Sequence, residues 1–181
     1  RFAPQVQKIK TLLNSVVGPK VFSMTVNAGQ VPIEHWTQDR EVGGGRIVGE
    51  ACHFVDLLRF LADSPIEACE LSAMDSSVLD TVVIIMRFAD GSMGTIHYLS
   101  NGHSSFPKER LEIFASGRIL QLDNFRTLKG YGWPGFKKMR LWSQNKGQRA
   151  CAKSFINAVK DLTSSPIEMK DLVEVSRASI D

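Results

Sequence analysis

The stretch "TVVIIMRFADGSMGTIHYLS" at residues 81–100 sets the fold class. Two runs rich in β-branched and aromatic residues, 81–89 and 92–100, flank Asp90-Gly91. An Asp-Gly pair between such runs is a strong short-range hairpin signal. Runs of the same kind lie on either side: "IEACELSAM" (66–74), "ERLEIFAS" (109–116), "RILQLDNF" (118–125) and "KKMRLWS" (137–143). Their separators are short and turn-forming, Ser116-Gly117 among them, and short connections join antiparallel neighbours. Further upstream, "KVFSMTV" (20–26) alternates Phe22, Met24 and Val26 against Val21, Ser23 and Thr25, as a half-buried strand does.

Helical patterns enclose these strands. Val6, Ile9, Leu12 or Leu13 and Val16 recur at spacings of three and four, which predicts a helix over 2–17 stopped by Gly18-Pro19. The strongest helix spans 45–62, and two more close the chain, roughly 147–162 and 168–180, parted by Ser164-Ser165-Pro166. The order helix, strand, helix, about six strands, two helices predicts an α+β domain, with helices on one face of a large, open, mainly antiparallel or mixed sheet. Val83, Ile85, Ile96, Tyr98 and Ile113 make both faces of some strands apolar. The second face is therefore expected to form a homodimer or homotetramer interface; the alternative is a strand buried within its own domain.

With 181 residues the chain is the size of one domain, and 43% hydrophobic with 23% charged residues is an ordinary globular balance. A net charge of +3, spread over scattered lysines and arginines, argues against a nucleic-acid partner. No apolar run approaches the ~18–20 residues that span a bilayer, so no membrane role is expected. Cys52, Cys69 and Cys151 are odd in number and lack C-x-x-C spacing, which suits reduced thiols in the cytoplasm. The chain lacks an initiator Met and opens as amphipathic helix, which reads as a piece of a longer protein.

The candidate chemistry sits in "EVGGGRIVGEACHFVDLLRF" (41–60). A dinucleotide fingerprint needs G-x-G-x-x-G after an apolar strand, and a P-loop needs Gly-Lys-Ser/Thr after its last glycine. Neither pattern is present, so no Rossmann turn or phosphate cradle is expected within these residues. At about 100° per residue, Ile47, Ala51, Phe54, Leu58 and Leu61 make the core stripe of the helix, and Arg46, Glu50, His53 and Leu57 an adjacent strip. Glu50 and His53 are three apart, close enough to touch; a carboxylate beside an imidazole orients its tautomer for general-base work near neutral pH. The bland alternative is a surface His–Glu pair on an ordinary core helix.

His35, His53, His97 and His103 form no H-x-x-x-H or H-E-x-x-H pattern, so no metal site is expected. Trp36 in "HWTQDR" (35–40) and Trp133 in "GYGWPGFKK" (130–138) are either walls for the apolar face of a sugar ring or loop anchors on the core. Of His97 and Tyr98, adjacent in one strand, one must face inward.

The stretch "DREVGGGRIVGEACHFVDLLRFLADSPI" (39–66), with "RFAPQVQKIKTLL" (1–13) before it, resembles the second half of the glucose–fructose oxidoreductase / inositol dehydrogenase / MocA (Gfo/Idh/MocA) family. The resemblance implies an open-sheet substrate and oligomerisation domain over residues 1–181, following an N-terminal Rossmann domain that binds NAD or NADP. Arg1-Phe2 looks like the tail of the family's N-x-R-F segment. The pattern G-G-G-x-x-x-D-x-G-x-H puts its histidine on His53, implied to act as acid/base on a substrate hydroxyl as the carbon gives up hydride. A lysine from an E-K-P motif of the nucleotide domain often shares that role.

The sequence departs from the pattern at Gly49, where the family has aspartate, and at Ala51, where it has glycine. Glu50 is the nearest carboxylate and is expected to replace the aspartate. His35, Trp36, Arg40 and Arg46 are expected to border a sugar, nucleotide-sugar or cyclic polyol. These residues alone are expected to bind no NAD(H). A non-catalytic binding or scaffold domain is the second reading, and a zinc enzyme the third.

Overall fold

Residues 1–39, 41–76 and 80–180 are described by the structure, a computed structural model. The first helix, α1 (Pro4–Leu13), opens with a proline in its first turn, where the missing N–H has no partner to lose. Strand β1 (Val21–Asn27) leads into a long loop and a single π-helical turn at Ile47–Ala51. Helix α2 (Cys52–Ala62) continues that turn and ends at Asp63, whose left-handed φ of 59° stops it.

Seven strands follow: β2 (Ile66–Ala73), β3 (Val82–Phe88), β4 (Met93–Leu99), β5 (Glu109–Ala115), β6 (Arg118–Asp123), β7 (Thr127–Tyr131) and β8 (Lys138–Arg140). They and β1 form one eight-stranded sheet in the order β2-β3-β4-β1-β5-β6-β7-β8. β1 runs parallel to β4; the other pairings are antiparallel. The expected hairpin is β3–β4, turning at Gly91 with φ +83°. Helices α3 (Gln148–Lys160) and α4 (Met169–Ile180) close the chain.

Strict alternation sorts the strands between two faces. On β3, Val82, Ile84, Met86 and Phe88 are buried while Ile85 and Arg87 are exposed and Val83 is half-buried. Ile96, Tyr98 and Ile113 join the covered side, where Ile9 of α1 and Leu58 and Leu61 of α2 complete the core. A side chain on Gly94 would bring its Cβ to 2.9 Å from Leu58 Cδ1, so α2 lies directly on β4. That close approach seats the helix carrying His53. Across the open face runs a row of apolar residues matched in register: Met93, Val21, Phe114, Ile119 and Tyr131.

The sequence pattern and the fold differ in several places. Helix α1 ends at Leu13 instead of residue 17. Strand β7 lies outside the runs that read as strands, and its last two residues, Gly130 and Tyr131, fall in the stretch 130–138 that reads as loop. Helix α3 forms as expected yet buries none of its side chains, leaving Phe155, Ile156 and Val159 exposed.

Candidate active site

The glycine run folds the loop on itself. A Cβ on Gly43 would stand 2.5 Å from the Trp36 carbonyl oxygen, while Gly44 and Gly45 take φ of +72° and +81°, open to glycine at little cost. The space a Gly43 side chain would take is thus filled by the chain's own backbone. Asp39 Oδ1 accepts the Glu41 and Val42 amides at 2.8 and 3.0 Å, tightening the same turn.

From this turn Arg46 is directed inward and is only 3% exposed. Its guanidinium donates to the Gly29 and Ala28 carbonyls at 2.8 and 3.3 Å and to Asp80 Oδ2 at 3.4 Å. Asp80 is itself anchored by the Ser100 hydroxyl, which donates to Oδ1 at 2.6 Å, and by the Gln38 amide at 3.3 Å. Arg46 Nε also reaches Glu50 Oε1 at 3.4 Å. The other carboxylate oxygen of Glu50 accepts the Tyr98 hydroxyl at 2.8 Å, and the Lys108 ammonium lies 4.0 Å from it. Arg46 stacks 5.5 Å over the Tyr98 ring. Burial, reinforced by the bond to Glu50, pushes the Tyr98 phenol well above its usual range, so it stays a donor at any physiological pH.

Glu50 and His53 border one cleft of about 870 Å³, with Phe54, Leu57 and Phe155 as apolar wall and Lys108 at the rim. His53 is exposed. Among the described residues no hydrogen bond joins it to Glu50, the contact that helical spacing predicts. The cause is the π turn: it carries more residues per turn than an α-helix, so the Glu50 side chain leaves the strip of His53 and meets β4.

The remaining candidates lie elsewhere. His35 and Trp36 are exposed on a second hollow of about 860 Å³, which Arg46 also borders; their rings are 5.9 Å apart. The Arg46–Glu50 contact links the two hollows. Arg46 spends its donors on Asp80, Glu50 and two carbonyls, rather than presenting them to solvent. Arg40 lies outside the described residues. Trp133, only 6% exposed, donates its indole N–H to the Ile119 carbonyl at 3.0 Å and is a core anchor. Tyr98, Asp80 and Lys108 are the groups that sequence reasoning missed. Only Tyr98 carried a signal, a polar-tipped ring at an inward strand position.

Among the described residues no three His, Cys, Asp or Glu side chains gather as a metal site needs, and no helix is long and apolar enough to cross a membrane. A family model described as the GFO/IDH/MocA C-terminal domain matches residues 6–121. No curated protein matches the chain. Among solved structures it is similar to UDP-N-acetylglucosamine 3-dehydrogenase from Acidithiobacillus ferrooxidans, at 17% identity and a TM-score of 0.76 over 99% of this chain and 57% of that one. It is also similar to aldose-aldose oxidoreductase from Caulobacter crescentus, complexed with glycerol, at 13% identity and a TM-score of 0.79 over 98% and 56%. A third likeness is to a gentamicin A biosynthesis protein in complex with NAD, at 18% identity and a TM-score of 0.70 over 98% and 56%. At these identities the likeness is one of fold, and the chain spans less than six-tenths of the length of each.

Proposed function

The chain belongs to the GFO/IDH/MocA family, whose C-terminal domain it carries, and we propose that it is the substrate-binding and oligomerisation part of an NAD(P)-dependent oxidoreductase. The reaction is oxidation of a hydroxyl on a sugar, nucleotide-sugar or cyclic polyol. Its main support is the placing of His53 and Glu50 on the rim of one cleft of about 870 Å³.

His53 is the base that takes the substrate's hydroxyl proton, and its exposure leaves the imidazole free to do so. Glu50, 36% exposed at its side chain and held from behind, accepts a hydrogen bond from the substrate and orients it. Phe54, Leu57 and Phe155 exclude water from the apolar side of the ring. The glycine run does not fit a dinucleotide, so the cofactor's cradle is assigned outside these residues; a nicotinamide held there would supply the hydride acceptor. The apolar row Met93, Val21, Phe114, Ile119 and Tyr131 supports a homo-oligomer formed through the open sheet face.

A second reading, a binding or scaffold domain without catalysis, is favoured by the engagement of Glu50 with Tyr98 in place of His53. Steady-state assays of the whole protein separate the two, using D-glucose, myo-inositol and UDP-N-acetylglucosamine with NAD or NADP. Turnover of one of these should fall roughly 10²–10⁴-fold in His53→Ala with cofactor affinity unchanged. Wild-type turnover in that variant overturns the catalytic reading, and loss of cofactor binding assigns His53 to the wrong ligand.

A further inference from the structure

Glu50 is the one carboxylate at this cleft that is held by two side chains from the core side, and neither of those two borders the cleft itself. Tyr98 is 0% exposed, on a strand whose neighbours β1 and β3 flank it in register. Its hydroxyl arrives at Glu50 from a fixed direction. Arg46 has little freedom of its own, since two carbonyls and Asp80 hold its fork and Ser100 holds Asp80. A rigid frame therefore runs from the end of β4, through Ser100, Asp80 and Arg46, to the carboxylate facing the cleft.

We infer that Tyr98 and Arg46 are positioning residues that fix the Glu50 carboxylate toward the cleft it shares with His53, an inference that rests on reading this cleft as the substrate site. Their work is preorganisation: the carboxylate has its direction before the substrate arrives, so no rotamer search accompanies binding. The bland alternative is a buried tyrosine that finds a partner for its hydroxyl, with no consequence for Glu50.

The groups facing Glu50 are Arg46 on its own turn, Tyr98 on β4 and Lys108 ahead of β5. His53 and Asp56 on α2, Glu109 on β5 and Lys146 ahead of α3 border the same cleft. Tyr98→Phe leaves all of these in place and removes one donor from the carboxylate, so a change in Glu50 belongs to the hydroxyl. A carboxylate that loses a fixed donor has more than one rotamer open to it.

The test is the side-chain rotamer of Glu50, read from NMR three-bond couplings in the whole protein, with Glu50→Gln assigning the resonances. In Tyr98→Phe the couplings should move from single-rotamer values toward rotamer-averaged ones, with the amide map unchanged. Single-rotamer couplings in a folded variant overturn the inference, as does lowered thermal stability with Glu50 unaffected. If Tyr98→Phe fails to fold, Arg46→Lys serves: it keeps the charge, loses the fork and should give a smaller move toward averaging, and no move overturns the inference. Turnover of the whole protein without His53 would remove the catalytic reading, whereas the Glu50 couplings would still stand or fall on their own.

Discussion

At the scale of single residues, glycines and one tyrosine separate what the sequence says from what it withholds. Gly130 interrupts the pattern of β7 and makes it read as loop. In the fold its bareness is needed: a Cβ there would stand 2.7 Å from Phe136 Cδ1 and 3.1 Å from Trp133 Cδ1. Gly130→Ala is accordingly predicted to cost about 1–3 kcal/mol in urea unfolding, because both rings must shift in a packed site. The position of His53 at a cleft was legible from a local motif. The partner of Glu50 was not, since Tyr98 lies 48 residues away and leaves no mark in the spacing around the helix.

Among elements, the strands were the most legible, because period-2 alternation survives in the burial of β3, β4 and β5. The start of α2 was not: a helical wheel presumes a constant 3.6 residues per turn, and the π turn at Ile47–Ala51 breaks that phase beside the candidate site. Helix α4 shows how charge replaces missing apolar burial. It buries Val175 alone, yet Arg59 donates to Asp171 and Glu174 at 3.1 and 3.0 Å, and Arg1 to Asp171 at 2.9 Å. Glu174 also accepts the Ile66 amide, tying α4 to the first residue of β2. Arg59→Ala leaves partly buried carboxylates with fewer partners and is predicted to cost roughly 2–4 kcal/mol. Hydrogen exchange should locate the loss: amides of α4 lose protection ahead of those of β3 and β4.

For the whole molecule, the α+β class followed from element order, whereas the strand order did not. The pairing of β1 with β4 and β5 joins segments more than sixty residues apart, and no local pattern encodes such a partner. Of the five residues that pointed to an apolar second face, only Val83 and Ile85 lie on it. Ile96, Tyr98 and Ile113 are buried on the covered side, because alternation assigns a face only once the strand pairing is known. The open face's row of Met93, Val21, Phe114, Ile119 and Tyr131 crosses five strands and supports the proposed oligomer. Phe114→Lys, at a position 44% exposed in the monomer, is predicted to shift sedimentation toward monomer while leaving the circular dichroism of the sheet unchanged. An unchanged sedimentation coefficient would place the interface elsewhere.

The central place of β1 also has a consequence in time. Residues 21–27 leave the ribosome before either neighbouring strand, and Met93 begins the first of them. At roughly 5–20 residues per second, the middle of the sheet waits about 3–13 s without a partner. Through that interval Phe22, Met24 and Val26, later among the most deeply buried side chains, are open to any apolar surface nearby. The nascent chain is most exposed to misassociation at the strand that later anchors its centre.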